Sequence, residues 1–336
     1  MRKILILILL VSEGLFAQVG GESIYNFLNL SSSARQAALG GKVLTLLDDV
    51  NQPLWNPSTI NNSIDRKLSV NYVNYLADVN LASVSYAQLI NRNFGTIHGG
   101  ITYLNYGKFI GADEDGNETG IFKAYDLAVS VGYAYNIFKT DFYVGANVKL
   151  INSVIDNYSS FGVGADLSLL YYNEYLPYSF TLVLRNIGYQ VTLYDEERED
   201  LPFEIQLGAS YKLENVPINW HFTVDNLQQW KLAYSNPSNV STDIDGNETE
   251  EDISFLDNTF RHLSVGAEIF PEGLFNLRLG YNFRRSKEMM LVDKRTFAGF
   301  TAGFGITMRK LKFNYAFSKY HPASNTSTFS LLINLE

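Results

Sequence analysis

The 336-residue chain has no cysteine, which excludes disulfides, thiolate metal sites and a lipid-attachment cysteine together. After the first few residues it has no apolar run approaching the ~20 residues that a membrane helix needs. Positions 44–47 and Leu291-Val292 are isolated patches. Basic charge is in deficit: 26 Lys and Arg against 35 Asp and Glu give a net charge of −9. No basic stretch interleaved with aromatics appears, and a nucleic-acid partner is not expected. Histidine is scarce, and the four (His98, His221, His262, His321) are dispersed without a hydrolase motif. Ser264 stands two residues from His262, but a same-strand pair of that spacing does not make a nucleophile and its base. No catalytic residue, cofactor or metal ligand is expected.

Residues 1–17 read as a secretory signal. Arg2 and Lys3 precede an apolar run at 4–11, and Leu15-Phe16-Ala17 is a plausible cleavage site before Gln18. An apolar run of that length is too short for a membrane anchor. Residues 18–66 do not alternate. The spacing predicts one helix over 31–39, with Ser31 to Ser33 as capping candidates and Gly40-Gly41 as its stop. Trp55-Asn56-Pro57-Ser58 is a turn by composition. A segment of this size ahead of a sheet suggests a plug or hatch, with Arg35, Trp55, Asn56 and Pro57 its marked residues. The alternative is a flexible leader.

From Lys67 onward the chain alternates apolar and polar residues with period two. We count fourteen strands, at about 67–75, 79–88, 95–106, 121–135, 141–154, 159–172, 178–188, 202–213, 217–226, 261–270, 273–284, 296–308, 310–318 and 326–335. In the fifth, Phe142, Val144, Ala146, Val148 and Leu150 oppose Tyr143, Gly145, Asn147 and Lys149. The eighth sets Ile205, Leu207, Ala209, Tyr211 and Leu213 against Glu204, Gln206, Gly208, Ser210 and Lys212, and the eleventh sets Phe275, Leu277, Leu279, Tyr281 and Phe283 against Asn276, Arg278, Gly280, Asn282 and Arg284. Period two puts each set on one face. Lipid outside and water inside is the natural solvent pair. With 22 Tyr, 22 Phe and a mean hydropathy of −0.06, the composition suits a barrel whose polar lumen dilutes its apolar wall. His98, His221 and His262 fall in the inward sets.

Loop lengths test this independently. Even-to-odd connections are short (89–94, 136–140, 173–177, 214–216, 271–272, 309–310), whereas most odd-to-even ones are longer (107–120, 189–201, 227–260, 285–295, 319–325). The first and third odd-to-even turns are compact exceptions. Short periplasmic turns and long outer loops are the outer-membrane pattern, and lipid requires closure. Chain and composition therefore predict an all-β, fourteen-stranded antiparallel transmembrane barrel over 67–336, with a hatch over 18–66 that contains a short helix.

The pentapeptide DGNET occurs at 115–119 and 245–249. A calcium loop counted from Asp243 wants Gly at its sixth position and Glu at its twelfth but finds Glu248 and Ser254, so the match fails. Asp-Gly turns at loop tips explain both copies. Loop charge is more telling. Loop 107–120 is net −3, 189–201 net −4 through Asp195, Glu196, Glu197, Glu199 and Asp200, and 227–260 net −6 through residues including Asp243, Asp245 and Glu250. Loop 285–295, with Arg285 and Lys287, is net +2. These loops are either solvated faces beside anionic lipopolysaccharide or a docking surface for a partner.

The run from Phe27 through Ser31-Ser-Ser-Ala-Arg35 to Gly40-Gly41, followed by Asn56-Pro57, resembles the opening of FadL-like outer-membrane barrels of Bacteroidota. Within that group the chain resembles the PorQ family of type IX secretion subunits. The supporting stretches are residues 70–78, 103–107, Leu201-Pro-Phe203, Arg261-His262, 279–282 and Tyr320-His321. They are individually short and span nearly the whole chain. Ser31 departs from the Pro expected there. The resemblance implies a fourteen-stranded barrel with an N-terminal hatch. It also implies membership of a cell-surface attachment complex with a sortase-like peptidase, a sister barrel (PorV) and a surface protein (PorZ) that binds anionic lipopolysaccharide. In that complex the PorQ-type barrel is not the enzyme but anchors PorZ, while exported cargo is matured and attached to lipopolysaccharide.

The expected role is thus a non-enzymatic outer-membrane anchor of a Gram-negative bacterium, exported by a cleaved signal peptide. Outer-membrane lipid, lipopolysaccharide and a PorZ-like protein are its expected partners. Candidate partner-binding residues are Asp195, Glu196, Glu197, Asp243, Asp245, Glu250, Arg285, Lys287, Tyr320 and His321. The alternatives are a FadL-like transporter of hydrophobic small molecules, which would need an apolar pocket beneath the hatch, and a PorV-like cargo shuttle.

Overall fold

The computed structural model describes residues 23–76, 78–91, 93–233, 241–242, 248–249, 254–289, 297–321 and 324–335. Fourteen strands form one closed antiparallel barrel. They are β1 (Lys67–Asn74), β2 (Asn80–Asn91), β3 (Gly95–Ala112), β4 (Glu118–Asn136), β5 (Phe142–Ile155), β6 (Tyr158–Tyr172), β7 (Tyr178–Thr192), β8 (Glu204–Lys212), β9 (Ile218–Val224), β10 (Leu263–Ile269), β11 (Phe275–Asn282), β12 (Phe300–Met308), β13 (Leu311–His321) and β14 (Ser324–Asn334). Closure is made by β1 against β14, with Lys67 opposite Asn334 and Asn74 opposite Ser327. A two-residue ribbon, Ser241–Thr242 with Glu248–Thr249, stands apart in the β9–β10 connection. The expected signal segment, 1–17, lies outside the described residues. No described helix is long and apolar enough to cross a membrane; the strands make the crossing.

The two faces separate as the alternation requires. In β11, Asn276, Arg278, Gly280 and Asn282 are buried while Phe275, Leu277, Leu279 and Tyr281 are exposed. In β5 the same holds for Gly145, Asn147 and Lys149 inside against Val144, Val148 and Leu150 outside. Exposed apolar side chains around a whole barrel are unfavourable in water and favourable in lipid.

The structure departs from the sequence reading at several strand ends. The expected 107–120 loop is largely a β3–β4 ribbon, with only 113–117 left as its tip. The eleventh strand stops at Asn282, because the Asn282 side chain accepts from Arg285 N (2.9 Å) and caps a short helix, α3 (Phe283–Glu288). The tenth strand starts at Leu263 because Ser254 caps a preceding helix, α2 (Phe255–Arg261). His262 is therefore the C-terminal cap of α2 rather than a strand residue. In β7 a bulge turns both Arg185 and Asn186 inward, with Asn186 at φ +56°.

The segment before β1 fills the lumen. Ile24 N donates to Asp200 O (2.9 Å) at the long-loop end. The chain then threads through the barrel and emerges at Asp65–Arg66 beside the short turns, where Arg66 N donates to Ala87 O (2.9 Å). Its helix, α1 (Ala34–Ala38), is capped by Ser33, which accepts from Gln36 N, and is followed by Gly40 and Gly41 at φ +96° and +93°. Ala34, Ala37 and Ala38 pack on Ala316 of β13, a contact that only small side chains permit. Elsewhere the segment runs backbone-first against the wall. A Cβ on Gly145 would stand 2.1 Å from Ser58 N, and one on Gly280 would stand 2.2 Å from Gly40 N. Both wall positions must lack a side chain for the segment to fit.

Replacing Gly145 by Val should displace the segment and lower the thermal unfolding midpoint in detergent. The obstacle is backbone, so the cost should exceed the ~1–3 kcal/mol of ordinary overpacking. Gly145→Ala should act in the same direction and more weakly. Gly99→Ala, where nothing lies closer than 4.0 Å, should leave the midpoint unchanged.

Candidate functional site

Inward-facing polar positions of the wall carry charge, and the plug supplies its complement. Glu268 of β10 is fully buried and receives two guanidiniums. Arg278 Nε on the neighbouring strand is 2.7 Å from Glu268 Oε1, and Arg35 from α1 donates through Nη2 (2.7 Å) and Nε (3.0 Å). Arg35 Nη1 also reaches Asp48 at 2.7 Å, which ties two parts of the plug to one wall carboxylate. Lys42 bridges Glu204 and Asp225, each at 2.7 Å. Lys149 meets Asp166 at 2.7 Å and the bulged Asn186 at 2.8 Å. Buried ions of this kind are tolerated only when paired and hydrogen-bonded.

The expected hatch residues all sit in this interface. The guanidinium of Arg185 lies 3.8 Å over the buried Trp55 ring while donating to Leu28 O (2.8 Å) and Asn29 Oδ1 (3.1 Å). Asn56 Nδ2 donates to Leu44 O (2.8 Å) and Thr181 Oγ1 (3.0 Å), and its Oδ1 accepts from Ser58 N (3.1 Å). Pro57 opens the 3-10 turn that rests against Gly145. Two inward histidines also hold the plug: His98 Nε2 contacts Val50 O (2.9 Å) and His221 Nδ1 contacts Thr45 Oγ1 (3.0 Å). Ser264 accepts from Asn282 Nδ2 (2.9 Å) and has no histidine partner among the described residues.

The described interior has polar vestibules at both ends with a dense waist between them. At the short-turn end, cavities of about 290 and 210 Å³ share Arg35 and Asp48. At the long-loop end, about 340 Å³ opens between Lys42, Asp225 and Arg284. Between them lies a void of about 30 Å³, beside Phe27, Trp55 and Lys149. The outer half of the lumen is closed by an apolar cluster of Ile24, Tyr25, Phe27, Leu81, Leu104 and Leu201 with their neighbours. Its Phe27 and Ala128 also line the small waist void, which admits no bulky apolar solute.

At the rim, Asp195, Glu196 and Glu197 are exposed on the β7–β8 connection, as expected. Arg285 and Lys287 lie on α3 rather than in an open loop, and Lys287 Nζ is 2.8 Å from Asp257 Oδ1 of α2. Asp243, Asp245 and Glu250, and the side chains of Tyr320 and His321, lie outside the described residues. The first DGNET copy is a turn: Asp113 accepts from Asn117 N (2.8 Å) and Asp115 N (3.1 Å), with Gly116 at φ +81°.

Sequence reasoning missed the apolar part of this rim. Helices α2 and α3 are clasped by the Lys287–Asp257 pair and by stacking of Phe260 on Phe283 at 5.3 Å. Beside them Trp230 stacks on His262 (4.8 Å) and approaches Phe255 (5.7 Å). Phe255 and Leu256 are 69% and 66% exposed at this long-loop end. The available signal was Ser254 followed three residues later by Asp257, a helix start inside an otherwise acidic loop.

No protein-family model matches the chain, and no curated protein does. Among solved structures, a deltaS2 mutant of the monoaromatic hydrocarbon channel TodX aligns with 91% of this chain and 98% of its own, at a TM-score of 0.54 and 12% identity. The Ralstonia pickettii toluene transporter TbuX aligns over 92% and 98%, at 0.52 and 11%. The fold is that of a FadL-like barrel. At these identities the likeness concerns the backbone alone.

Two outcomes follow. Arg35→Ala should loosen the plug, because Glu268 then keeps one guanidinium where it had two. Breaking a buried pair costs about 3–5 kcal/mol, read as a lower unfolding midpoint and a raised single-channel conductance in planar bilayers. At the rim, the hydrogen bond from Lys287, followed by that from Arg261, holds the Asp257 carboxyl below the usual carboxylate range despite partial burial. A depressed folded pKa stabilises above the unfolded value of about 3.9 and is lost as pH falls through the folded one. Amide protection in α2 and α3 should therefore be flat from neutral pH to about 5 and fall only below about 4. Asp257→Asn should remove that dependence.

Proposed function

We propose that the protein is a non-enzymatic outer-membrane barrel that uses its rim, not its lumen. It is exported by its signal segment, sealed by its own N-terminal plug, and holds a surface protein at the long-loop end. The finer reading is a PorQ-type subunit of a type IX attachment complex. It would anchor a PorZ-like partner while cargo is matured and joined to lipopolysaccharide.

The observation that carries this reading is the ion-paired, densely packed waist of the lumen. A transporter of apolar solutes needs a greasy path, and both vestibules are lined by charged groups. A rigid barrel with a fixed plug is instead a scaffold for loops that recognise. Helix α2 presents the anchors Phe255 and Leu256, with Trp230 of the β9–β10 connection next to them and Arg285 and Lys287 of α3 nearby. The acidic Asp195, Glu196 and Glu197 belong to the same rim. Buried aromatic anchors ringed by charge are the usual composition of an interface hot spot.

The shape likeness to TodX and TbuX favours a second reading, transport of a hydrophobic small molecule. That reading requires the plug to rearrange, against the Arg35 and Lys42 pairs.

The test is an affinity pull-down of the tagged barrel from mildly solubilised outer membranes, with mass spectrometry of what co-elutes. Stoichiometric recovery of one large surface protein is expected. It should fall at least tenfold for a Phe255→Asp/Leu256→Asp variant, since loss of two interface anchors removes 2 kcal/mol or more by hot-spot magnitudes of about that size each. Recovery of the barrel alone, carrying a small apolar ligand, would move the assignment to transport.

A further inference from the structure

The outer wall carries an unusual pair where β3 and β4 leave the barrel. Lys108 and Lys123 are directly opposite each other in the antiparallel register, and both are exposed. Like charges in that relation repel and destabilise a ribbon. Among the described residues neither lysine forms an ion pair. The exposed carboxylates of this hairpin sit beyond them, at Asp113, Glu114, Asp115 and Glu118; Asp126 is buried below, and Asp156 of the β5–β6 turn, whose N donates to Lys123 O (3.1 Å), forms no ion pair with Lys123.

The pair is built by a backbone irregularity. Below it, the even-numbered residues of β3 face the lumen, as His98 and Leu104 do. Continued regularly, Lys108 would also point inward. Instead the register shifts between Asn105 and Lys108, around Gly107 at φ +87°, with Gly107 N donating to Asn105 Oδ1 (2.8 Å). A bulge re-aims the side chains beyond it. Here it turns Lys108 outward, beside Lys123 of the outward odd-numbered set on β4.

Height along the wall says what lies opposite. The outward residues of β4 from Tyr125 to Tyr135 are Tyr125, Leu127, Val129, Val131, Tyr133 and Tyr135, an apolar run with tyrosine at both ends. At ~3.4 Å per residue and a tilt near 40° that run spans about 26 Å, the height of the lipid-facing band between its aromatic girdles. Tyr103 and Tyr125 lie together at its upper edge, ring centroids 5.8 Å apart. Lys123 is two residues further out, about 5 Å above the band by the same rise and tilt. That is the depth of phosphates in the outer leaflet.

We propose that Lys108 and Lys123 form a binding site for the phosphorylated headgroup of an outer-leaflet glycolipid, whose acyl chains lie against Tyr103, Tyr125 and the apolar residues beneath. The phosphate supplies the counter-charge that the register withholds, and ammonium–phosphate hydrogen bonds are of the strong, charge-assisted kind. The inference rests on the outer-membrane orientation in the proposed function, with long loops outward. It does not rest on the identity of any protein partner.

The test uses the full-length barrel in nanodiscs that contain either phosphorylated lipid A or its dephosphorylated form, with retained lipid counted by native mass spectrometry. Wild type should retain the phosphorylated form, and Lys108→Gln/Lys123→Gln should lose about tenfold, the scale of one charge-assisted hydrogen bond. A Lys139→Gln/Lys212→Gln control at the opposite end, with the same charge loss, should retain as wild type does. Equal retention by the Lys108/Lys123 variant and wild type would overturn the site. Displacement by millimolar inorganic phosphate would make it a small-anion site and overturn the lipid assignment. Because the chain has no cysteine, Asp115→Cys gives a single label position for an impermeant maleimide on whole cells. Labelling supports the orientation; its absence would overturn both this site and the proposed rim function, whereas a labelled barrel with unchanged lipid retention would overturn this site alone.

Discussion

The carboxylate of Glu268 is the constraint on which the rest of the interior depends. It is completely buried on the inner wall, and two guanidiniums neutralise it from different parts of the chain. Arg278 reaches it from the adjacent strand, so that pair would form in any barrel with this register. Arg35 reaches it only if α1 is seated in the lumen. An empty, water-filled barrel would solvate these groups; a plugged one has expelled the water and must pair them. Glu204 repeats the arrangement with Lys42. Wall and plug are therefore one electrostatic unit, with carboxylates on the strands and their missing cations on the segment that precedes the strands.

That pairing explains the steric choices around it. Pairs at 2.7 Å need the plug backbone close to the wall, and closeness needs glycine at Gly145 and Gly280 and alanine through α1. Hydroxyls complete the backbone satisfaction: Ser330 Oγ accepts from Ala34 N (2.8 Å) and Ser168 Oγ from Ser58 N (2.8 Å). Moving the plug would expose paired charges and strand these backbone donors at the same time. A lumen assembled in this way resists opening.

Strand count, facing and closure were legible in the sequence, because period-two alternation over a two-solvent wall leaves an unbroken trace, as in Phe142 to Leu150 and Phe275 to Phe283. The helix α1 was legible from Ser33 and Gly40-Gly41, whose chemistry is local. What escaped depends on non-local pairing. The inward turn of Arg185 and Asn186 together, and the outward turn of Lys108, come from bulges that a one-residue register change creates; alternation alone does not locate them. The course of the plug inside the lumen depends on contacts such as Arg35 with Glu268, between residues 233 positions apart. At the rim, the charged residues of the β7–β8 loop could be read as exposed. Phe255 and Leu256 could not, because an apolar pair in a long loop reads equally as buried.

The rim and the upper wall carry opposite signs within a short distance, and their geometry keeps them apart. Carboxylates occupy the tips, where they project into water; Lys108 and Lys123 face sideways, toward the layer in which the barrel sits. Had Lys108 kept the regular parity of β3, it would point into the mouth of the barrel. The wall would then carry a single outward lysine there, Lys123, in place of two adjacent ones. A backbone irregularity that leaves two like charges adjacent and outward calls for a counter-charge from outside the chain, and in the proposed orientation the outside at that height is an anionic leaflet.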